Sequence, residues 1–189
     1  MRVLIIPEDP TLDQYVLKPV VARILTDLEL TARVDVLQDP HLRGVGQALN
    51  KKMVASIVRD NPMIDLFVLA VDRDCNRKKN EQLAQARCHE HADQLVAVLA
   101  HQEVEVWAMA LHKDKLPVSW RDVRADCDPK ERFWDPLVAQ ERWLPTVGKG
   151  RKKAMRALSG QWKKLLSRCP ELKQFRKDVR RWQRARAAP

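Results

Sequence analysis

The chain has 189 residues, of which 45% are hydrophobic, and its formal net charge at pH 7 is +10. That length suits one α/β domain with an appendage, and the hydrophobic content is sufficient for a buried core. No apolar run reaches the roughly 18 residues of a membrane-spanning helix, and Met1 leads directly into a strand-like segment. We therefore expect a cytoplasmic protein that has no membrane partner.

The cysteines bear on the compartment. Cys75, Cys88, Cys127 and Cys169 form no Cys-x-x-Cys pair and no close-set framework, which predicts free thiols in a reducing environment. A zinc site built from Cys75, Cys88 and His91 is disfavoured, because structural zinc sites use paired ligands at short spacing.

The positive charge is concentrated near the C-terminus. Residues 149–186 hold 15 of the 35 basic residues and two of the 25 acidic ones, so this segment carries a net charge of +13 and the rest −3. Such density favours a polyanion partner, because neutralising phosphates releases their counterions. The alternative is a solvated helical face that only aids solubility.

The first half of the chain alternates short apolar runs with helical patterns. Four runs predict buried strands, at 2–6, 33–37, 65–71 and 94–100. Apolar spacing predicts intervening helices, at 16–28, 47–58 and 80–91. Thr11 or Asp13 is a candidate cap for the first helix, and Pro19 either kinks it or begins its regular part. This alternation predicts β-α-β units around a parallel sheet flanked by helices.

The later chain is predicted to complete a core over 1–115, followed by an insertion and a basic tail. The pattern over 102–111 does not separate helix from strand. Residues 116–147 are rich in proline and predict a loop-rich insertion whose tryptophans fill a small cluster. Residues 148–189 predict a basic helical segment packed on the core, with helices at 151–167 and 171–186.

Two tryptophans of that basic segment have two interpretations. Trp162 and Trp182 could stack on unpaired bases, as the aromatic residues of single-strand binders do. Packing against neighbouring helices is the favoured interpretation.

Three carboxylates follow predicted strands. Glu8 follows the first strand, and Asp72 and Asp74 follow the third. In a parallel sheet these positions share the C-terminal edge, where α/β folds bind ligands. Clustered carboxylates repel one another unless cations or protons neutralise them, and hard oxygen ligands suit Mg²⁺ or Mn²⁺. The alternative is that these residues cap helices.

The same residues carry a family resemblance. Ile5-Ile-Pro-Glu8-Asp-Pro-Thr11 resembles the first motif of the Toprim fold, where a glutamate ends the first strand, and Leu69-Ala-Val-Asp72-Arg-Asp74 resembles its Asp-x-Asp motif. The order of these motifs also resembles the small single-domain Toprim proteins related to the nuclease part of the overcoming-lysogenisation-defect family.

Weaker matches extend the resemblance over most of the chain. Relatives carry a Glu-x-Trp, an Asp-Pro-Lys, a glycine-rich helix start and a Cys-Pro helical hairpin. The matching strings are Glu105-Val-Trp107, Asp128-Pro-Lys130, Gly148-Lys-Gly-Arg151 and Cys169-Pro170.

The resemblance implies a Toprim-like catalytic core that cuts phosphodiesters with two metal ions. It implies that Glu8, Asp72 and Asp74 bind metal and that Glu105 serves a second metal position, with Glu103 as its alternative; Asp9 is either a ligand or a cap. A lysine would neutralise transition-state charge, with Lys149 and Lys152 as candidates. The nucleic-acid backbone would be gripped by basic side chains of the tail, namely Arg151, Lys152, Lys153, Arg156, Lys163 and Lys164.

Other functions stay open beside the nuclease. The chain could be a non-catalytic module whose tail binds nucleic acid or an acidic partner, or it could hydrolyse a small nucleotide. A topoisomerase would need a tyrosine nucleophile, and core packing is the favoured role of the single tyrosine, Tyr15. The resemblance also implies a place in bacterial phage defence, with an ATPase partner.

Overall fold

Four apolar runs form the central sheet of the computed structural model, which describes residues 1–73, 75 and 77–187. The strands are β1 (Arg2–Pro7), β2 (Arg33–Val36), β3 (Leu66–Asp72) and β4 (Leu95–Ala100). They are all parallel and lie in the order β2-β1-β3-β4. The predicted strands and the parallel α/β architecture are confirmed.

Both faces of the sheet are buried, which explains why its strands are apolar runs rather than alternating ones. Every residue of β3 is buried. Its even-numbered apolar residues, such as Val68, belong to one hydrophobic cluster, and its odd-numbered ones, such as Leu69, belong to the cluster on the other face.

The first four helices flank this sheet. They are α1 (Gln14–Asp27), α2 (Val45–Ala48), α3 (Lys51–Asp60) and α4 (Arg77–Glu90). The prediction of one helix over 47–58 is wrong, because the chain breaks at Asn50, whose side chain accepts a hydrogen bond from the Met53 backbone N–H (3.1 Å) and caps α3. Helix α1 runs through Pro19.

The second half of the chain is helical. The open segment after β4 forms α5 (Glu105–Leu111), and a 3₁₀ turn follows at Lys113–Lys115. The segment predicted to be loop-rich holds α6 (Trp120–Ala125), a π-helical turn (Lys130–Trp134) and α7 (Asp135–Gln140).

The basic segment forms a helical hairpin. Helix α8 (Arg151–Ala154) continues through a 3₁₀ turn (Met155–Ala157) into α9 (Leu158–Arg168), and α10 (Pro170–Ala187) follows. Trp162 and Trp182 are buried in the cluster that includes Val96 and Val98 of β4, as the packing interpretation predicts. Within the described part of the chain, no helix has both the length and the apolar character needed to cross a bilayer.

A strained turn joins α7 to α8. Gly148, Lys149 and Gly150 all have positive φ angles, of 68°, 47° and 88°. A Cβ on Gly148 would lie 2.3 Å from the Tyr15 ring, so this position needs glycine both for its backbone conformation and for space. The close approach fixes the start of α8 against the start of α1.

Replacing Gly148 by alanine should therefore lower the free energy of unfolding by about 2 kcal/mol or more, because the new methyl group meets an aromatic ring in a left-handed backbone. Gly160 is the matched control. It lies in α9, and a Cβ added there would have no neighbouring atom within 4 Å, so Gly160→Ala should raise stability by about 0.5–1 kcal/mol. Urea denaturation measures both; equal effects at the two positions would contradict the close approach.

Candidate functional site

Strand order brings two predicted carboxylates together. Strands β1 and β3 are neighbours, and Pro7 pairs with Ala70 in their register, so Glu8 and Asp72 leave the same edge of the sheet side by side. Their carboxyl groups lie within hydrogen-bonding range of each other. Asp72 is 9% exposed, and its Oδ1 has no hydrogen-bond partner among the described residues.

Asp13 joins this pair. It occupies the N-cap position of α1, yet its side chain makes no capping hydrogen bond. Asp13 is buried instead, close enough to Glu8, Asp9 and Glu105 for their charges to raise its pKa. The cap at this turn is supplied by Asp9, whose Oδ1 accepts a hydrogen bond from the Thr11 backbone N–H (2.7 Å).

Glu105 and Arg151 form the opposite side of the cluster. Both are 2% exposed and they are ion-paired with each other. The Arg151 guanidinium also donates to the Gly148 carbonyl (3.2 Å), which connects the strained turn to the site. Arg151, which the sequence predicts to grip the nucleic-acid backbone, thus lies inside the protein. We call Glu8, Asp13, Asp72, Glu105 and Arg151 the acidic cluster.

Burial and repulsion from neighbouring carboxylates raise the pKa values of two members of the cluster, Asp72 and Asp13. Burial and then the charge of Glu8 raise the pKa of Asp72 well above its usual range. Burial, followed by the charges of Glu105 and Asp9, raises the pKa of Asp13 to about 8. At neutral pH the free protein therefore holds protons in this cluster, and a bound divalent cation would displace them.

Two further charged groups border the cluster. The Lys130 backbone N–H donates to the Glu103 carboxylate (2.8 Å). Burial raises the pKa of Glu103 to about 7. Burial lowers the pKa of Lys130, but the charges of Glu105 and Glu103 outweigh it and the net shift is upward. Lys130 is thus a half-buried ammonium beside the carboxylates.

The residue after the β4 edge is also unusual. Gln102 is fully buried with a φ of 69°, and neither polar atom of its amide has a hydrogen-bond partner among the residues that the structure describes. An unsatisfied buried amide costs about 1–3 kcal/mol. This cost falls in the connection between β4 and α5, directly before Glu103 and Glu105.

The donor set suits a hard cation. Carboxylate oxygens from Glu8, Asp13 and Asp72 are the ligands that Mg²⁺ and Mn²⁺ prefer, and the partnerless Oδ1 of Asp72 is available to one. Asp74, the third predicted ligand, lies outside the described residues. Within the part of the chain that is described, no three acidic, histidine or cysteine side chains already converge in a metal-binding geometry.

A disulfide borders the site. Cys75 and Cys127 are bonded, with their Cα atoms 5.6 Å apart and a sequence separation of 52 residues. The prediction of four free thiols is wrong for this pair, because the fold joins cysteines whose spacing gives no sign of pairing; Cys88 and Cys169 are free. The bond ties the loop after Asp72 to the segment that precedes Lys130.

The remaining predicted tail residues are on the surface. Lys149, which precedes Arg151, is exposed in the turn. The exposed basic side chains that follow Arg151, on α8, the 3₁₀ turn and α9, are Lys152, Lys153, Arg156, Lys163 and Lys164. We call these five the basic face. The basic face begins at Lys152, which directly follows Arg151 of the acidic cluster in sequence.

Asp13 and Lys130 are the site residues for which the sequence indicates no chemical role. Asp13 resembles an ordinary helix cap, and only its position five residues after Glu8 indicates that it returns to the same strand end. Lys130 follows a proline in a segment without periodicity, so its approach to Glu105 depends on tertiary packing.

Comparison with protein families, curated proteins and solved structures found no match to this chain.

The raised pKa of Asp13 predicts how stability depends on pH in the presence of EDTA. The folded chain keeps a proton on Asp13 up to about pH 8, whereas the unfolded chain releases it near 3.8. Stability from this group is complete below pH 3.8 and is lost as the pH rises toward 8, so the free energy of unfolding should fall between pH 5 and 9.

Asp13→Asn should flatten this fall and be more stable than the parent at pH 8–9, because the amide mimics the neutral carboxyl. The exposed Asp60, paired with Arg59 on the surface, is the matched control, and Asp60→Asn should leave the slope unchanged. Urea denaturation at five pH values gives the slopes. A slope that Asp13→Asn does not alter would contradict the assignment.

Proposed function

We propose that the chain is a metal-dependent nuclease of Toprim-like fold that hydrolyses phosphodiester bonds in nucleic acid. The observation that carries the proposal is a cluster of four carboxyl groups at the C-terminal edge of a parallel sheet, three of them buried, in which the pKa values of Asp13 and Asp72 are raised. The resemblance of the strings around Glu8 and Asp72 to Toprim motifs supports the same function.

The carboxylates have a direct chemical use in this reaction. Mg²⁺ or Mn²⁺ bound there would polarise the phosphate and lower the pKa of a water nucleophile. Glu8, Asp13 and Asp72 would hold the cation. Asp74 follows Asp72 by two residues in sequence. Arg151 holds Glu105 in place, because each is the other's buried ion-pair partner.

Positive charge beside the cluster has two uses. Lys130 is a half-buried ammonium next to Glu103 and Glu105, so it is better placed than the exposed Lys149 or Lys152 to neutralise charge on a phosphate in the site. The basic face would hold the rest of the nucleic-acid backbone, and its start next to Arg151 would lead the polymer to the carboxylates.

A non-catalytic nucleic-acid-binding module is the second candidate. It is favoured by the Glu105–Arg151 ion pair, since Arg151 already neutralises one carboxylate of the cluster without any bound cation. Such a module would use the basic face and leave the acidic cluster as a structural element.

Cleavage assays separate the two functions. Purified protein with Mn²⁺ or Mg²⁺ should cut labelled DNA or RNA, EDTA should stop the reaction, and Glu8→Gln and Asp72→Asn should each reduce the rate about a hundredfold or more. Asp60→Asn, a surface carboxylate change, should cut at the parental rate.

A second substrate tests the division of labour. Lys163→Ala with Lys164→Ala should weaken polynucleotide binding and its salt dependence, but leave hydrolysis of the small diester bis(p-nitrophenyl) phosphate unchanged, because a small substrate does not reach the basic face. Polynucleotide binding that persists without any metal-dependent cleavage would contradict the nuclease and favour the binding module.

A further inference from the structure

An open groove runs along one edge of the sheet, away from the acidic cluster. Strand β4 is the last strand beside β3, and its free edge forms the floor of a groove of about 760 Å³. Helix α4 supplies one wall, including Ala84 and Cys88, and α10 supplies the other, including Phe175 and Trp182.

The backbone of β4 presents hydrogen-bonding groups to this groove. Phe67 of β3 pairs with Leu95 of β4, and the Phe67 N–H donates to the Gln94 carbonyl (2.7 Å). In a parallel ladder of this register, the even-numbered residues of β4 form the hydrogen bonds to β3. The N–H and C=O groups of Leu95, Ala97 and Leu99 therefore point to the free edge. The Leu95 N–H is used by the His91 carbonyl (2.9 Å), and the Ala97 N–H lies against the Cys88 thiol.

Four outward groups are left over. Among the described residues, no hydrogen bond is made by the Leu99 N–H or by the outward carbonyls of Leu95, Ala97 and Leu99. Main-chain donors and acceptors at a spacing of two residues match an extended peptide backbone, and they match neither a nucleic acid nor a compact small molecule.

The two sheet edges differ in protection. The opposite edge strand, β2, has four residues, and two of them, Arg33 and Asp35, are charged. Charged side chains and short length block strand addition. Strand β4 has six residues, Leu-Val-Ala-Val-Leu-Ala, with no charge and no proline. The groove edge is therefore the one that can accept another strand.

The charged residues of α10 are also divided between the groove and the outer surface of the helix. The two acidic residues of the helix, Glu171 and Asp178, line the groove, where Glu171 is held by Arg124 (2.6 Å) and Asp178 by Arg181 (3.2 Å). Four exposed cations of α10 lie outside it, namely Lys173, Lys177, Arg180 and Arg184. The groove wall is consequently near neutral and suits an uncharged occupant rather than a polyanion.

The concave shape distinguishes a peptide from a second copy of the chain. Helices α4 and α10 rise on both sides of β4, so two copies facing each other would meet at these walls before their strands could approach the roughly 4.8 Å of a sheet. A single extended segment can enter between the walls.

We propose that the β4 groove binds an extended, apolar segment of a partner protein, which adds as a fifth strand to the sheet. A six-residue strand spans roughly 20 Å, so the bound segment has about six residues. Its alternate side chains face the α4 wall, where Cys88 is partly exposed, and the α10 wall, where the edge of Trp182 reaches the surface.

The test begins with peptides selected from a phage-displayed library of random 12-residue sequences, using the immobilised full chain. Leu99→Pro removes the outward N–H but leaves the ladder to β3 intact, and proline is tolerated at such edge positions. Leu99→Ala is the matched control, since it trims the same side chain and keeps the N–H. Circular dichroism and thermal melting establish that both variants fold.

We expect a selected peptide to bind Leu99→Ala within a few-fold of the parent and Leu99→Pro at least about tenfold more weakly, which corresponds to about 1.4 kcal/mol. On the parent chain, N-methylation of the peptide should abolish binding at every second residue and be tolerated between them. This scan needs no variant, so it remains decisive if Leu99→Pro does not fold.

Failure to enrich any peptide, or binding that N-methylation lowers without a two-residue period, would overturn the proposal. A concentration-dependent dimer in sedimentation that Leu99→Pro abolishes would identify a second copy as the occupant, and would overturn it too. Loss of nuclease activity in unrelated acidic-cluster variants has no bearing on this groove, so the two proposals fail independently.

Discussion

The rest of the structure depends on the repulsion among the carboxyl groups of the acidic cluster, which the fold buries instead of exposing to water. The ends of β1 and β3 and the starts of α1 and α5 bring four carboxyl groups into a region where Asp13, Asp72 and Glu105 are nearly inaccessible. Burying ionised carboxylates is costly, and proteins offset that cost with protons, cations or buried ion pairs. Here Arg151 neutralises Glu105, and raised pKa values keep protons on Asp13 and Asp72.

Several other features hold this arrangement in place. The Gly148-Lys-Gly150 turn packs on Tyr15 and accepts a hydrogen bond from Arg151, so the arginine enters the cluster at a fixed angle. The Cys75–Cys127 disulfide secures the loop that follows β3. Basic residues that could not be buried follow Arg151 on the surface. The glycine turn, the disulfide and the surface basic residues thus all lie around one edge of the sheet.

Periodicity and composition were sufficient to predict the sheet. Uninterrupted apolar runs such as 66–71 arise only where both faces are covered, so they predict parallel strands and shared strand ends for Glu8 and Asp72. The break at Asn50 was not predicted, because a capping hydrogen bond outweighed a helical pattern that continued through it. Local chemistry can end a helix where hydrophobic spacing does not.

The rest of the candidate site depends on contacts between distant segments. Arg151 lies 46 residues from Glu105, and nothing in the basic run 151–153 distinguishes the buried arginine from its two exposed neighbours. The disulfide likewise joins cysteines 52 residues apart. The groove beside β4 arises from strand order, which short-range patterns do not determine.

The proposed function requires the acidic cluster to exchange its protons for a divalent cation. Titration calorimetry with Mn²⁺ near pH 7, repeated in two buffers of different ionisation enthalpy, measures binding and proton release together. We expect the parent chain and Asp60→Asn to bind Mn²⁺ with release of about one proton or more, and Asp72→Asn to lose both binding and proton release. No binding by the parent, or binding that releases no protons and survives Asp72→Asn, would contradict it.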